Sequence, residues 1–199
     1  YDLKSLKLPD SLKTIGVSAF LECTSLETIS FAEGLENIGH GAFQNSKLRG
    51  ELILPSNLNS IETGAFKETL LSGSLCLPNS LVTLASSAFS NCTRLSGVLI
   101  IPEGIAVLNN NVFEGCSNIE GIILPQTLSV IGQNAFKDCF SISTFVSNAS
   151  SPPTVITGAF DGIPKDNFTV EVPEGSVNDF AYATGWNEFM RISAHRVFS

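Results

Sequence analysis

The side chains that could perform covalent or metal chemistry in this chain are five cysteines and two histidines. They do not fall into a catalytic or metal-ligating spacing. The sequence has no Cys-x-x-Cys pair, no His-Glu-x-x-His, no Gly-x-Ser-x-Gly and no phosphate-binding glycine loop. His40 lies between two glycines, as is typical of a solvated turn, and His195 lies close to the C-terminus. The acidic residues are dispersed and lack calcium-loop spacing. We therefore predict no catalytic residue, no metal site and no cofactor.

Four of the cysteines share one position, three residues after a recurring phenylalanine. They are Cys23, Cys92, Cys116 and Cys139. Side chains at equal positions of stacked units point the same way, whereas a disulfide needs two facing side chains at short distance. We expect a ladder of buried, reduced thiols that act as small apolar side chains. A Cys–His nucleophilic pair stays open as an alternative, although buried thiols are poor nucleophiles. Cys76 lies elsewhere, on a predicted strand.

The phenylalanines recur with a nearly constant period, and this repeat predicts the architecture that positions everything else. They are Phe20, Phe43, Phe66, Phe89, Phe113, Phe136 and Phe160. The steps between them are 23, 23, 23, 24, 23 and 24 residues. A period of this length belongs to a whole coil of chain rather than to one helix or strand. Because one coil is too small to bury its own apolar side chains, we predict that the coils stack into a solenoid.

Each coil also carries an alternating Leu-x-Leu-Pro segment, as in Leu75-Cys76-Leu77-Pro78. The alternation predicts a short strand with one face directed inward, which the proline ends. Strands one coil apart should pair in parallel and in register. The Ala-Phe segment is expected to form one turn of α-helix or 3-10 helix. The extra residues near Gly97 are expected in surface turns, where insertions are tolerated.

The outward positions of these strands predict a candidate binding surface made of two columns. The first column, apolar at its centre, contains Ile53, Cys76, Ile100, Ile123 and Val146. The second, which is smaller and more polar, contains Glu51, Ser74 and Val98. A contiguous apolar stripe over five coils indicates a partner or self-association surface. The alternatives are that β-branched residues simply favour a parallel sheet, or that another part of the protein covers this face.

The last part of the chain departs from the repeat and is predicted to be a C-terminal cap over residues 174–199. Ser176 begins a capping-box pattern, and Gly185 is suited to a helix end. The largest apolar cluster outside the repeats follows. It consists of Trp186, Phe189 and Ile192. A solenoid requires such a cap, because its last coil otherwise exposes the core.

Composition limits the classes of partner. The formal net charge of −8 disfavours nucleic acid and anionic lipid, since phosphate binding needs clusters of Lys and Arg. No apolar run approaches the ~20 residues that cross a bilayer. Tyr1 is not a natural start, so we expect a fragment or processed product from which a leader or anchor has been removed. Membrane attachment is expected only through such an anchor. We also expect a weak homodimer, because the first coil exposes an apolar edge and an unpaired strand.

The combination of Leu-x-x-Leu-x-Leu-Pro, Ile-Gly, Ala-Phe and Cys in coils of this length resembles the BspA-like leucine-rich repeat family over essentially the whole chain. The repeats at Phe31-Ala32 and Ser147-Asn148 depart from the Leu-Pro pattern. The segments Val172-Pro173-Glu174-Gly175-Ser176 and Thr184-Gly185-Trp186 are similar to the closing module of such proteins in Bacteroides-type bacteria. The resemblance implies an α/β fold. It is a right-handed solenoid with a parallel β-sheet on its concave face and short helical or 3-10 turns on its convex face. Residues 1–173 would form about seven coils of 23–24 residues.

The same resemblance implies a cell-surface or extracellular location, by export or a lipid anchor, and a role in adhesion or ligand binding. It brings no catalytic residues. The predicted function is therefore a non-catalytic binding module that recognises a protein or glycan through the concave face. The alternative is a structural spacer or stalk within a larger surface protein.

Overall fold

The alternating segments form strands that pair in parallel with the equivalent segment of the next coil, and the result is a solenoid of about eight turns. The computed structural model describes residues 3–166 and 168–195. Numbered in chain order, the strands of the first face are β1 Ser5–Lys7, β3 Thr28–Ser30, β5 Arg49–Gly50, β7 Leu70–Cys76, β9 Arg94–Ile100, β11 Asn118–Leu124, β13 Thr144–Ser147, β15 Thr169–Pro173 and β16 Arg191–His195. The strands from β5 to β16 form a seven-stranded sheet, while β1 pairs with β3 alone.

A second set of strands, each two residues long, lies between those of the first face along the chain. It comprises β2 Thr14–Ile15, β4 Asn37–Ile38, β6 Ser60–Ile61, β8 Thr83–Leu84, β10 Val107–Leu108, β12 Val130–Ile131 and β14 Thr154–Val155. The first four of these form one sheet and the last three another. The parallel pairing that the repeat predicts is confirmed on both sets. The pairs are in register except for two shifts in the long sheet, between Ser74 and Cys76 and between Ile119 and Gly121.

The core is one continuous column of aromatic rings enclosed by aliphatic side chains. Successive rings from Phe20 to Phe160 lie 5.1 to 6.4 Å apart between centroids, with interplanar angles of 5 to 13°. The five central rings, Phe43 to Phe136, are fully buried, as are Ala42 and Ala65. A larger residue than alanine at these two positions would displace the coil beside it. Stacked rings of this kind add to the stabilisation from burial alone.

The Ala-Phe segments are hydrogen-bonded turns, rather than the helical turns that the sequence predicts. The N–H of Phe43 donates to Ala65 O of the next coil at 2.8 Å, whereas Gln44 N–H donates back to Gly41 O at 3.2 Å. Because alternate amides bond across coils, a run of local bonds cannot form. Two residues in this turn, Gly41 and Asn45, have φ of 56° and 55°. This conformation explains the Gly, Asn and Ser that occupy the first of these positions in other coils.

The extra residue at Gly97 lies inside the long sheet. Gly97 is in the middle of β9 with a φ of 75°, and Gly50 and Gly73 have the same left-handed conformation. The ladder between β7 and β9 shifts register in this region. The prediction that these insertions lie in surface turns is wrong. A glycine that accepts positive φ lets a strand hold one extra residue as a bulge without losing its flanking pairs.

The segment after β15 covers the last coil. It contains a 3-10 helix at Glu174–Ser176, the helix α1 at Val177–Tyr182, and β16, which pairs in parallel with β15. Trp186 and Phe180 are fully buried, and the indole Nε1–H of Trp186 donates to Pro153 O at 2.8 Å. Phe189 is also buried, and Ile192 is half-buried against the same core.

Two details of this segment differ from the prediction. The hydroxyl of Ser176 donates to Ser150 O at 2.7 Å and makes no capping bond to the helix. Helix α1 ends at Tyr182, three residues before Gly185. Gly185 is required for another reason: its φ is 85°, and a Cβ there would lie 2.7 Å from the side chain of Val155.

Candidate functional site

The outward row of the long sheet brings four of the predicted site residues together. The ladder pairs Cys76 with Ile100, Ile100 with Ile123, and Ile123 with Val146. Ile100 is 58% exposed and Cys76 is exposed, while Ile123 and Val146 are half-buried. The row ends at Glu171, which pairs with Val146. An apolar row across four strands spans roughly 14 Å, since parallel strands lie ~4.8 Å apart.

Ile53 stands apart from this row. It lies beyond the end of β5, and within the described residues no ladder pair joins it to Cys76. Its side chain is 79% exposed. With Glu51, which is also exposed, it lines a small cavity of about 160 Å³ against Phe31 of the preceding coil. The structure thus places these two predicted residues together, at the other end of the face.

The second predicted column is interrupted by the bulge. Ser74 is exposed, but the ladder pairs it with Ser96 rather than with Val98. Val98 is 50% exposed and pairs with Gly121, which in turn pairs with Thr144. Val98 therefore belongs to the same part of the surface as the apolar row.

A groove of about 370 Å³ opens where the two columns meet. It is lined by Val98, Glu120, Gly121, Ile122, Ile123, Ser143, Thr144 and Val146. Gly121 lies on its floor, where it is buried between Val98 and Thr144 and contributes no side chain. Neither Gly121 nor Glu120 is among the predicted site residues. A glycine between two β-branched neighbours is the signal that could have found this groove.

Glu120 provides the negative charge of the groove. Its side chain is exposed, and within residues 3–166 and 168–195 it forms no ion pair. Elsewhere on the first face, Arg49 pairs with Glu27. The main-chain oxygen of Glu120 accepts the Ser143 N–H at 3.0 Å, so its backbone is held while its carboxylate is free to meet a cation.

The buried thiols form a ladder of hydrogen-bond donors. The Sγ of Cys92, Cys116 and Cys139 donates to Phe66 O, Phe89 O and Phe113 O at 3.0, 3.1 and 3.1 Å. Burial raises the pKa of the Cys92 thiol to about 11 and that of Cys139 to about 12, and it raises the pKa of Cys116 well above 9.0. These thiols are consequently poor nucleophiles at neutral pH.

The sequence predicted burial for this column but not the donating role. Thr69 occupies the same position one coil before Cys92, and its hydroxyl donates to Phe66 O at 2.9 Å. Ser46 is the exception, since its buried hydroxyl has no hydrogen-bond partner among the described residues. All five cysteines are free, with Cys23 half-buried.

His195 has a structural contact. Its Nε2 lies 3.1 Å from Ser147 O, which accepts the hydrogen bond. In the preceding pair of coils the equivalent oxygen, Leu124 O, accepts the N–H of Asn148 at 3.1 Å. Pro173 follows one coil later at that place and has no N–H. His195 therefore supplies a donor that the backbone lacks.

The described part of the chain brings no chemistry-bearing cluster together elsewhere. His40 is exposed in its turn. Across residues 3–166 and 168–195, no group of three His, Cys, Asp or Glu side chains could hold a metal ion. None of the helices in those residues has the length and apolar character needed to span a bilayer.

The repeat matches a known family. A model of the BspA type leucine-rich repeat region matches six copies, over residues 1–100 and 49–165. The chain belongs to this BspA-type family. No curated protein sequence matches it. BspA-type repeats account for the stacked coils but assign no ligand to the groove.

Two solved structures are similar to this BspA-type chain. One is a leucine-rich repeat protein from Bacteroides ovatus, with 19% identity and a TM-score of 0.58 over 96% of this chain. The chain spans 61% of the length of that structure. The other is a leucine-rich cell surface protein from Faecalibacterium prausnitzii, with 18% identity and a TM-score of 0.43, over 98% of this chain and 74% of that one. At 19% identity the first likeness shows the fold alone.

Proposed function

We propose that this chain is a non-catalytic binding module of an exported or cell-surface protein, and that it recognises a protein or glycan partner through its seven-stranded sheet. The observation that carries the proposal is the row of Cys76, Ile100, Ile123 and Val146, which presents apolar side chains to solvent across four strands. Contiguous apolar surface of this kind on a soluble protein is commonly covered by a partner.

The shape of the face suits a macromolecular partner. The row is flat, and the groove beside it is shallow and open along the sheet, whereas small-molecule sites enclose most of their ligand. A partner that covers Ile100 and Val98 would remove about half of each side chain from water. Because such burial is worth ~25 cal/mol per Å² before the costs of association, several coils must take part for stable binding.

The proposal also includes a surface location and a lack of catalytic activity. The family membership and the description of the Faecalibacterium protein as a cell surface protein support the location. The raised pKa of the thiols of Cys92, Cys116 and Cys139 supports a structural role, rather than a catalytic one, for these three cysteines. The proposed partner contact needs no bond to be made or broken.

A second candidate is a spacer within a longer surface protein. It is favoured by one observation: the chain spans 61% of the length of the Bacteroides structure, so a similar fold occurs there within a longer chain. A spacer needs only a stiff stack of coils. A binding module needs the stack and also an exposed apolar row. A weak homodimer through the same face is the third arrangement that the row could serve.

The test is a binding screen followed by matched surface variants. The 199-residue chain is screened against glycans and extracellular-matrix proteins, and each hit is measured again with Ile100→Asp and Ile123→Asp together. The proposal predicts that binding is lost while the circular dichroism spectrum is kept. Val82→Asp is the control, since Val82 is 62% exposed outside the long sheet. Binding that survives the double variant would overturn the assignment to this face, and so would binding that is lost equally in the Val82→Asp control. The absence of any hit, with a strictly monomeric chain, would favour the spacer.

A further inference from the structure

The fold does not require a glycine at position 121. Gly121 is outside the left-handed region, and a Cβ added there would meet Thr144 O at 3.5 Å and Val98 Cγ2 at 3.6 Å, which are ordinary contacts. Gly132 is different, because a Cβ there would lie 2.7 Å from Leu108 O. Glycine weakens a strand interior, and there it often marks a bulge or the close approach of a ligand. The ladder with β9 shifts register between Ile119 and Gly121, but the Gly121 backbone at this shift does not need the left-handed conformation.

The space that Gly121 leaves has aliphatic walls. Val98 lies on one neighbouring strand and Val146 on the other, with Ile123 two residues along the same strand as Gly121. Adding a side chain at position 121 would fill the centre of the 370 Å³ groove. The groove is therefore wide enough for one unbranched side chain of a partner.

Charge complements this apolar space at one edge. Glu120 precedes Gly121 on the strand, is exposed, and has no cationic partner within the described residues. Ser143, directly before β13, adds a hydroxyl that donates to the main-chain oxygen of Glu120 at 3.3 Å and can accept a further hydrogen bond. A partner side chain that complements both the apolar walls and the Glu120 carboxylate has an aliphatic stem and a positively charged end. Lysine and arginine side chains have this construction, since their stems pack on apolar surface while the charged head stays in water.

We propose that this groove receives a lysine or arginine side chain of an extended polypeptide partner, with the stem over Gly121 and the cationic group at Glu120. The inference rests on the proposed function of the sheet as a binding face and specifies the partner as a protein. Sugar rings are commonly held on an aromatic platform, and none of the eight residues that line the groove is aromatic. Electrostatic pairing at the rim gives selectivity among partners more than affinity.

The test uses the isotope-labelled 199-residue chain and three short peptides at low ionic strength. The peptides are acetyl-Ala-Lys-Ala-amide and the same sequence with norleucine or glutamate in place of lysine. The lysine peptide is expected to shift the amide signals of Gly121 and Ile123 and the methyl signals of Val98. It should bind about fivefold more tightly than the norleucine peptide, the upper range for an exposed ion pair. The glutamate peptide should not bind at the groove.

Two variants separate the charge from the cavity. Glu120→Gln should remove the preference for lysine over norleucine and leave norleucine binding unchanged. Gly121→Leu should abolish binding of the lysine and norleucine peptides. Gly121→Ala fills less space and should weaken the binding of both peptides. This second variant keeps the test valid if the leucine variant misfolds. Glu33→Gln, an exposed carboxylate outside the long sheet, is the control for lost charge. Circular dichroism and thermal unfolding verify the fold of each variant.

The outcomes distinguish this inference from the function on which it rests. Equal binding of lysine and norleucine peptides, lysine binding that survives Glu120→Gln, or no groove shift with any peptide would overturn the groove proposal. A glycan that shifts the same signals would overturn it as well. If partner binding is nevertheless lost with the Ile100→Asp and Ile123→Asp variant, the sheet stays the binding face and only the groove assignment fails.

Discussion

The thiol of Cys116 donates a hydrogen bond to the main-chain oxygen of Phe89, with Sγ and O 3.1 Å apart. The two residues belong to adjacent coils, so the contact ties one ring of the aromatic column to the next turn of the solenoid. The same oxygen also accepts the N–H of Cys92 at 3.2 Å. A side chain that looks like a small apolar filler in the sequence therefore also satisfies a buried backbone acceptor.

Substitutions at Cys116 should separate its two roles. We expect Cys116→Ala to lower the free energy of unfolding by about 1–2 kcal/mol, because it removes the donor and leaves a small cavity. Cys116→Ser should cost less, since its hydroxyl can still donate to a main-chain oxygen, as Thr69 does to that of Phe66, the phenylalanine three residues before it. Urea denaturation measures both. A serine variant that is less stable than the alanine variant would show that the position is simply apolar.

The buried thiols should make the protein sensitive to alkali. Their pKa is raised in the folded state, from 9.0 to about 11 for Cys92 and to about 12 for Cys139. The unfolded chain therefore loses these protons first as pH rises. Above pH 9 each thiol should lower the free energy of unfolding by about 1.4 kcal/mol per pH unit, up to its folded pKa.

The measurement for this pH dependence is denaturation at pH 8 and pH 10. The variant with serine at Cys92, Cys116 and Cys139 serves as reference, because a hydroxyl does not titrate in this range. It should lose distinctly less stability between the two values than the natural chain. An equal loss would mean that lysine or tyrosine titration, which both proteins share, is the cause.

The loss of unfolding free energy on replacing a phenylalanine of the aromatic column should depend on the position of its ring in the column. Phe89 is fully buried and stacks between Phe66 and Phe113 at 5.2 and 5.8 Å. Phe20 is half-buried and stacks on Phe43 at 5.1 Å. We expect Phe89→Ala to cost about 3–5 kcal/mol of unfolding free energy and Phe20→Ala less than half of that. Chemical denaturation of the two variants tests this. Equal losses of unfolding free energy would contradict a column whose central rings are more fully enclosed than Phe20.

Two glycines should respond in opposite ways to alanine. At Gly132 a Cβ would lie 2.7 Å from Leu108 O and 2.8 Å from Asn110 Oδ1, so the backbone must shift. We expect Gly132→Ala to destabilise by about 1–3 kcal/mol. Gly121→Ala should be neutral or stabilise by about 0.5–1 kcal/mol, because alanine has fewer conformations to lose on folding. Thermal unfolding compares the pair. A large loss at Gly121 would show that the fold needs this glycine, and would remove the reason to connect it with a ligand.

The core and the pairing of the long sheet could be predicted from the sequence because they depend on strict periodicity. The spacing of Phe43, Phe66 and Phe89 fixes which side chains stack, and alternation around Cys76 and Ile100 fixes which face outward. The pattern required no knowledge of loop geometry. Two shifts in the ladder, between Ser74 and Cys76 and between Ile119 and Gly121, changed pairing locally without disturbing the apolar row.

The features that escaped prediction depend on backbone conformation rather than on periodicity. Gly97 reads as a turn residue in the sequence, yet it is a bulge within β9. The residues of the Ala-Phe segment are compatible with a helix, but its alternate amides donate to the next coil. These inter-coil hydrogen bonds exist only in the stacked structure, so the sequence of one coil does not reveal them. The groove at Gly121 required knowing that the glycine has room for a Cβ, which depends on the distances to Val98 and Thr144.

The central claim is that partners bind on the long sheet, and methyl NMR of a complex tests it most directly. The chain offers two matched sets of aliphatic residues: Val98, Ile100, Ile123 and Val146 on the long sheet, and Val82, Val107 and Val130 on or beside the short strands. Titration with a partner from the binding screen should shift the methyl signals of the first set and leave those of the second unchanged. Shifts confined to the second set, or spread equally over both, would contradict the account.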